Sequence, residues 1–231
     1  MKIATKILFG AFLVVAILVA SAGAWLYFDK SGLPDVRSMS DLAHPTTPTA
    51  PVPCLTKSIA VPYESLGSNI RNALSAIEVP EDGPSVAMAL FKPKARISPA
   101  MHLSRQILCK EEKPLEYDLD QVRTAIQLQR MYSNRELFTM VANTAYFGED
   151  TVGVEAASQH YFRKHAADLS IAESALLAGL VSRPNYYSPS KHPDRALLRR
   201  NQVIDIMAHK GMMSADDAAK AKATPLLAPM T

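Results

Sequence analysis

Between Ile7 and Phe28 no residue carries a charge, and this run limits what the chain can become more than any other feature. At about 1.5 Å per residue, a helix of that length spans roughly 33 Å, enough to cross the hydrocarbon core of a bilayer. Lys2 and Lys6 precede the run. Positive flanks stay in the cytoplasm, so the remainder is expected outside. Trp25 and Tyr27 sit at the far end, where amphipathic rings favour the interface. A cleaved export signal is the competing reading, because Ala20-Ser21-Ala22 and Ala22-Gly23-Ala24 have cleavage-site spacing. The apolar continuation to Phe28 favours an uncleaved anchor. Both readings export the body.

The chain as a whole has a globular composition. Apolar residues are 48% and charged residues 20% of 231, with a net charge of +3 and a mean hydropathy of zero. That excludes a disordered polyelectrolyte and a polytopic membrane protein, and nucleic acid is not an expected partner. Two cysteines exclude a four-cysteine zinc site. Residues 29–57 read as a linker: Pro34, Pro45, Pro48, Pro51 and Pro53 alternate with Thr46, Thr47 and Thr49, which predicts a semi-extended spacer.

From residue 58 the pattern is helical. Leu66, Ile70, Ala73, Leu74 and Ile77 recur at helical spacing. Ser98-Pro99 predicts a helix start, running to about Cys109. Lys110 to Tyr117 reads as a loop, and Asp118 as the cap of a helix through Met131. Ser133-Asn134-Arg135-Glu136 and Ser170-Ile171-Ala172-Glu173 are capping-box sequences. Residues 194–210 form a further helix stopped by Gly211, and Ser214 starts the last. Ser58 to Tyr63 is the only strand candidate. The expected organisation is a cytoplasmic tip and transmembrane anchor (1–28), a linker (29–57) and a mainly α domain (58–231).

A family becomes visible between Leu128 and Met207. Leu128-Gln129-Arg130-Met131-Tyr132-Ser133 is similar to L-E-R-x-Y-S, and Asn143-Thr144-Ala145-Tyr146-Phe147-Gly148 to L-N-x-x-Y-F-G. Gly153-Val154-Glu155-Ala156-Ala157, Tyr161-Phe162-Arg163-Lys164 and Asp168-Leu169-Ser170 follow in order, then Glu173 to Leu180 and Pro184-Asn185-Tyr186-Tyr187-Ser188-Pro189. Arg199-Arg200-Asn201-Gln202-Val203-Ile204 is similar to R-R-x-x-V-L. Together they resemble the family-51 glycosyltransferases, peptidoglycan polymerases found alone or as the N-terminal domain of class A penicillin-binding proteins. The resemblance implies a lysozyme-like helical domain tethered by one transmembrane helix in the bacterial inner membrane. Its N-terminus would be cytoplasmic and its body periplasmic. It implies lipid II or nascent glycan as substrate and admits cell-wall synthesis proteins as partners. No penicillin-binding transpeptidase domain is expected after the last helix.

The implied reaction joins an acceptor hydroxyl to a sugar C1 and expels undecaprenyl pyrophosphate. It needs a carboxylate to take the hydroxyl proton and cations, or a divalent metal such as Mg, to stabilise the leaving group. Asn72-Ala73-Leu74-Ser75-Ala76-Ile77-Glu78-Val79 aligns with the first motif, N-A-x-x-A-x-E-D, and places Glu78 as general base. Glu81-Asp82 is a literal E-D pair three residues later. Leu103-Ser104-Arg105-Gln106-Ile107 resembles the tail of the second motif and makes Arg105 a phosphate-facing cation; Met101 and His102 then stand at the family's two Gln. The third motif becomes Tyr117-Asp118-Leu119-Asp120-Gln121, with Gln121 at the second catalytic Glu. In the fourth, Thr139 replaces the acid and Asn143 remains.

Arg183, Lys191, Arg195, Arg199 and Arg200 face only one acid, Asp194, between residues 183 and 200. Such a segment suits a pyrophosphate or anionic headgroups, or is simply a solvated helix face. Asn143, Arg105, Arg199 and Arg200 are thus the candidate substrate-binding residues. His160 and His165 read as surface residues, not a metal pair. Cys54 and Cys109 would both be exported, either as a disulfide tying spacer to domain or as two independent thiols. Three functions follow: a divergent but active glycosyltransferase, a non-catalytic relative that binds lipid II, glycan or a partner, and a lysozyme-like hydrolase.

Overall fold

The computed structural model describes residues 33–45, 49–50, 58–77, 99–108 and 114–226, together with Ala20, Ser21 and Ala24. A 3₁₀ turn at Val36–Met39 runs into α1 (Ser40–Ala43). Strands β1 (Thr49–Ala50) and β2 (Ser58–Ile59) pair antiparallel. Helices α2 (Ser68–Ile77), α3 (Pro99–Leu108), α4 (Pro114–Met131) and α5 (Asn134–Thr144) follow. An antiparallel hairpin, β3 (Tyr146–Gly148) and β4 (Thr151–Val152), leads to α6 (Val154–Phe162), α7 (Ile171–Val181), α8 (Pro193–His209) and α9 (Ala215–Ala223). The protein is mainly helical.

Helix α7 is the axis. Its sequence, Ile-Ala-Glu-Ser-Ala-Leu-Leu-Ala-Gly-Leu-Val, is apolar or small on nearly every side, and such a helix must be covered all round. It packs against α2 and α8 and touches α6, α9 and β3. Its start is the expected capping box: the Ser170 hydroxyl accepts from the Glu173 amide, and the Glu173 carboxylate accepts from the Ser170 amide at 2.8 Å. At Gly179 an added Cβ would lie 2.9 Å from Arg199 Cγ, so the missing side chain sets how closely α8 approaches.

A second group, α3, α4 and α5, packs beside this one, with α6 between them against α5 and α7. One apolar cluster runs through both, from Ile70 and Ala73 through Leu103 and Ile107 to Leu137, Phe138 and Leu177.

The stretch expected to be an extended spacer contains folded structure. Val36, Met39, Leu42 and Ala43 are buried, α1 lies on α5, and the Tyr132 hydroxyl donates to the Val36 carbonyl at 2.9 Å. The physical reason is an apolar helical spacing within a proline-rich background. Asn143 fixes this entry segment. Its Oδ1 accepts from the Val61 amide at 3.0 Å, and its Nδ2 donates to the carbonyls of Leu42 at 2.9 Å and Val61 at 3.0 Å.

Three further expectations change. Helix α4 begins within the expected loop, at Pro114, because proline's fixed φ and missing N–H suit a first helical turn. The strand expected over Ser58 to Tyr63 shortens to Ser58–Ile59. The β3–β4 hairpin was not legible, since strands of two or three residues carry no alternation. Its turn places Glu149 and Asp150 at positive φ, 51° and 58°, a conformation usually supplied by Asn or Gly. Among the described residues no helix is long and apolar enough to cross a membrane. The candidate anchor lies outside them apart from Ala20, Ser21 and Ala24.

Asn143→Ala strands one donor and two acceptors inside the protein. We expect it to lower unfolding free energy by roughly 2–3 kcal/mol, read from chemical denaturation of the purified chain. An unchanged midpoint would show that Asn143 does not brace the entry segment.

Candidate functional site

Glu78 follows Ile77, the last residue of α2, and lies outside the described residues, as do Cys54 and Cys109. The end of α2 is nonetheless defined. The Lys210 ammonium, from the end of α8, donates to the Ala76 carbonyl at 2.8 Å. A cation is favourable at a helix C-terminus, and here it satisfies a carbonyl of the last turn of α2.

Arg105 stands exposed on α3. Gln121, on the facing α4, is buried, and its Nε2 donates to the Met101 carbonyl at 3.3 Å. The amide thus braces α4 against α3, and it has no proton-transfer capacity at neutral pH.

The same face of α3 carries a polar line that sequence reasoning underrated. His102 and Gln106 are one turn apart, with His102 Nε2 and Gln106 Nε2 3.2 Å apart. The Thr144 hydroxyl donates to Gln106 Oε1 at 2.6 Å. Burial, and secondarily the charge of Arg105, push the His102 pKa down to about 4. The ring is therefore neutral at pH 7 and accepts from the Gln106 amide. The i, i+4 spacing of His102 and Gln106 was the available signal.

The basic segment divides in two. Arg200 is buried, and its guanidinium donates to the carbonyls of Thr224 at 2.7 Å and Lys222 at 2.9 Å. It clamps the end of α9 and does not face solvent. Arg183, Arg195 and Arg199 instead surround a tyrosine pair. Arg195 lies 4.5 Å and Arg183 6.0 Å from the Tyr186 ring centre, and Arg199 lies 5.6 Å from that of Tyr187. These contacts order the guanidinia at the start of α8.

Glu149 secures the loop that carries the tyrosines. Its carboxylate accepts from the hydroxyls of Ser188, at 2.9 Å, and Ser190, and meets His160 Nε2 at 2.9 Å. Burial opposes the charge, but the bonds from Ser190, His160 and Ser188 outweigh it and hold the carboxyl below its usual range. His160 is thus paired at the surface, and His165 meets Glu155 at 2.7 Å.

The structure accordingly spreads the expected site residues over three places. Arg105 is exposed on α3, Arg199 joins the aromatic cluster, and Gln121, Asn143 and Arg200 lie inside with their side chains bonded to backbone. Among the described residues no group of three His, Cys, Asp or Glu is placed to hold a metal.

Residues 100–208 match the family described as Transglycosylase. The chain is 36% identical over 124 residues to penicillin-binding protein 1A of Aquifex aeolicus, a match covering 54% of this chain and 17% of that protein. It is 36% identical over 124 residues to penicillin-binding protein 1F of Bacillus subtilis, covering the same shares. It is 32% identical over 144 residues to penicillin-binding protein 2D of B. subtilis, covering 61% and 21%. The chain thus spans about a fifth or less of the length of these relatives. The crystal structure of penicillin-binding protein 1A from Haemophilus influenzae superposes with a TM-score of 0.48 at 19% identity, covering 76% of this chain and 19% of that one.

His102 supplies a pH test. In the unfolded chain its ring takes a proton near pH 6.5, and in the fold only near 4. Its contribution to stability is therefore complete above pH 6.5 and declines as pH falls from 6.5 towards 4. We expect the ring to titrate near pH 4 by NMR, and His102→Gln to flatten the loss of stability between pH 7 and 5. A midpoint of 6 or above would contradict this environment.

Proposed function

We propose that this chain, which carries a transglycosylase-family domain over residues 100–208, is a membrane-anchored peptidoglycan glycosyltransferase-like protein of cell-wall synthesis that takes lipid II or nascent glycan. The observation that carries the reading is the family match, which begins on α3 and runs through α8. In this reading Ile7 to Phe28 anchors the chain in the bacterial inner membrane. The helical body is lysozyme-like and faces the periplasm.

Glu78 takes the proton of the acceptor hydroxyl. Its position follows an α2 end held by Lys210. Arg105 is the exposed cation of the α3–α4 seam and faces the phosphates. The neutral His102 and Gln106 offer hydrogen bonds beside it without adding charge. A divalent cation, if bound, would supply further charge neutralisation at the pyrophosphate. The described residues present no three-ligand cradle for it.

Gln121 supports a second reading. A buried amide bonded to Met101 stands where the family resemblance places the second carboxylate, so binding of lipid II or glycan without turnover is its natural consequence. Incubating the purified full chain with lipid II separates the readings. We expect binding with weak polymerisation, and Glu78→Gln lowering residual turnover by about 10²-fold or more, the usual share of general acid–base catalysis. Binding with no polymer at any enzyme concentration establishes the non-catalytic reading. Release of fragments from intact sacculi, without polymer, establishes hydrolysis instead.

A further inference from the structure

A groove of about 500 Å³ lies where the entry segment meets the end of α4. Leu33, Pro34, Val36 and Met131 form its apolar wall, and Arg37, Arg130 and Gln127 its polar one. The segment is held there by the Tyr132 hydroxyl on the Val36 carbonyl and by Asp35, whose carboxylate caps the following turn through the Arg37 amide at 3.0 Å. Arg37 and Arg130 are both exposed, and Met131 is 45% exposed although its side chain is large and apolar.

Chain connectivity fixes where this groove works. Leu33 is only five residues beyond Phe28, a reach of at most about 17 Å even when fully extended. If Ile7 to Phe28 is the anchor, the groove cannot be far from the headgroup layer. Its lining matches that layer: cations for a phosphodiester and an apolar wall for the glycerol and first methylenes. Two cations outnumber the one acid in the lining, Asp35, which also caps the turn at Arg37. Basic pockets beside membrane helices commonly hold anionic headgroups.

We propose that this neck groove is a binding site for the headgroup of an anionic phospholipid from the surrounding leaflet, with Arg37 and Arg130 on the phosphate and Met131 and Val36 against the lipid's apolar start. Such a site would set the orientation of the domain on the membrane separately from the chemistry at Glu78. The inference rests on the anchor reading and not on polymerase activity.

The test uses the full chain in nanodiscs of phosphatidylcholine, with and without phosphatidylglycerol. The intact mass first establishes that residues 1–28 are retained. We expect native mass spectrometry to show phosphatidylglycerol retained over phosphatidylcholine, and hydrogen exchange at residues 33–37 to slow only when phosphatidylglycerol is present. Each arginine near the surface is worth about a fivefold preference, so Arg37→Gln with Arg130→Gln should lower the preference by roughly 25-fold. Met131→Ser, which leaves both charges, should weaken lipid retention while far-UV circular dichroism confirms the fold. Equal retention of the two lipids by the native chain overturns the proposal, as does cleavage of the anchor. Slowed exchange produced equally by inorganic phosphate also overturns it, because the site would then take a free anion and not a lipid. Loss of polymerisation with lipid retention intact would count against Glu78 chemistry alone.

Discussion

The fit of α7 against α8 at Gly179 is the constraint on which the rest of the body depends. A helix apolar on almost every side cannot sit at a surface, so α2, α6, α8 and α9 gather round it. The approach at Gly179, where a Cβ would meet Arg199 at 2.9 Å, sets the position of α8 and hence of both its ends. One end carries the arginine–tyrosine cluster. The other carries Lys210, which reaches back to the end of α2. A single interhelical distance therefore governs two features far apart in sequence.

Polar residues inside the body serve mainly to join segments. Asn143 ties the entry segment to α5, Arg200 ties α9 to α8, and Gln121 ties α4 to α3. Each buries hydrogen-bonding groups that cost free energy unless paired, and each meets a backbone carbonyl of another segment. This accounts for motif residues that survive without facing solvent. The matched arginine pair Arg199-Arg200 is one half-buried residue against Tyr187 and one buried clamp, a division that no periodicity in the sequence distinguishes.

Much of the fold was legible because its signals are local. The capping boxes at Ser133 and Ser170 appear with both reciprocal bonds, and the helices they start run close to the expected lengths. What escaped notice depends on tertiary contacts. The Val36–Ala43 turns are too short to be stable alone and form because α4 and α5 offer a surface. The β3–β4 hairpin is held by Glu149 reaching Ser188 and Ser190, about forty residues away in sequence. The site was less legible than the fold for the same reason. Residue type suggested charge for Arg200 and a polar contact for Asn143, but burial, which a single sequence does not display, decided what each side chain meets.

This division has a chemical consequence. Helix α3 offers an exposed arginine beside a neutral imidazole that is bonded to Gln106; the His102 pKa near 4 makes the ring a weak base, and the buried Gln121 has no proton-transfer capacity. The end of α2 is held by Lys210 on α8, whereas Arg105 stands on α3, which packs on α4 and α5. The end of α2 and helix α3 thus belong to different helix groups, joined through the core that links Ile70 and Leu177 to Leu103 and Phe138.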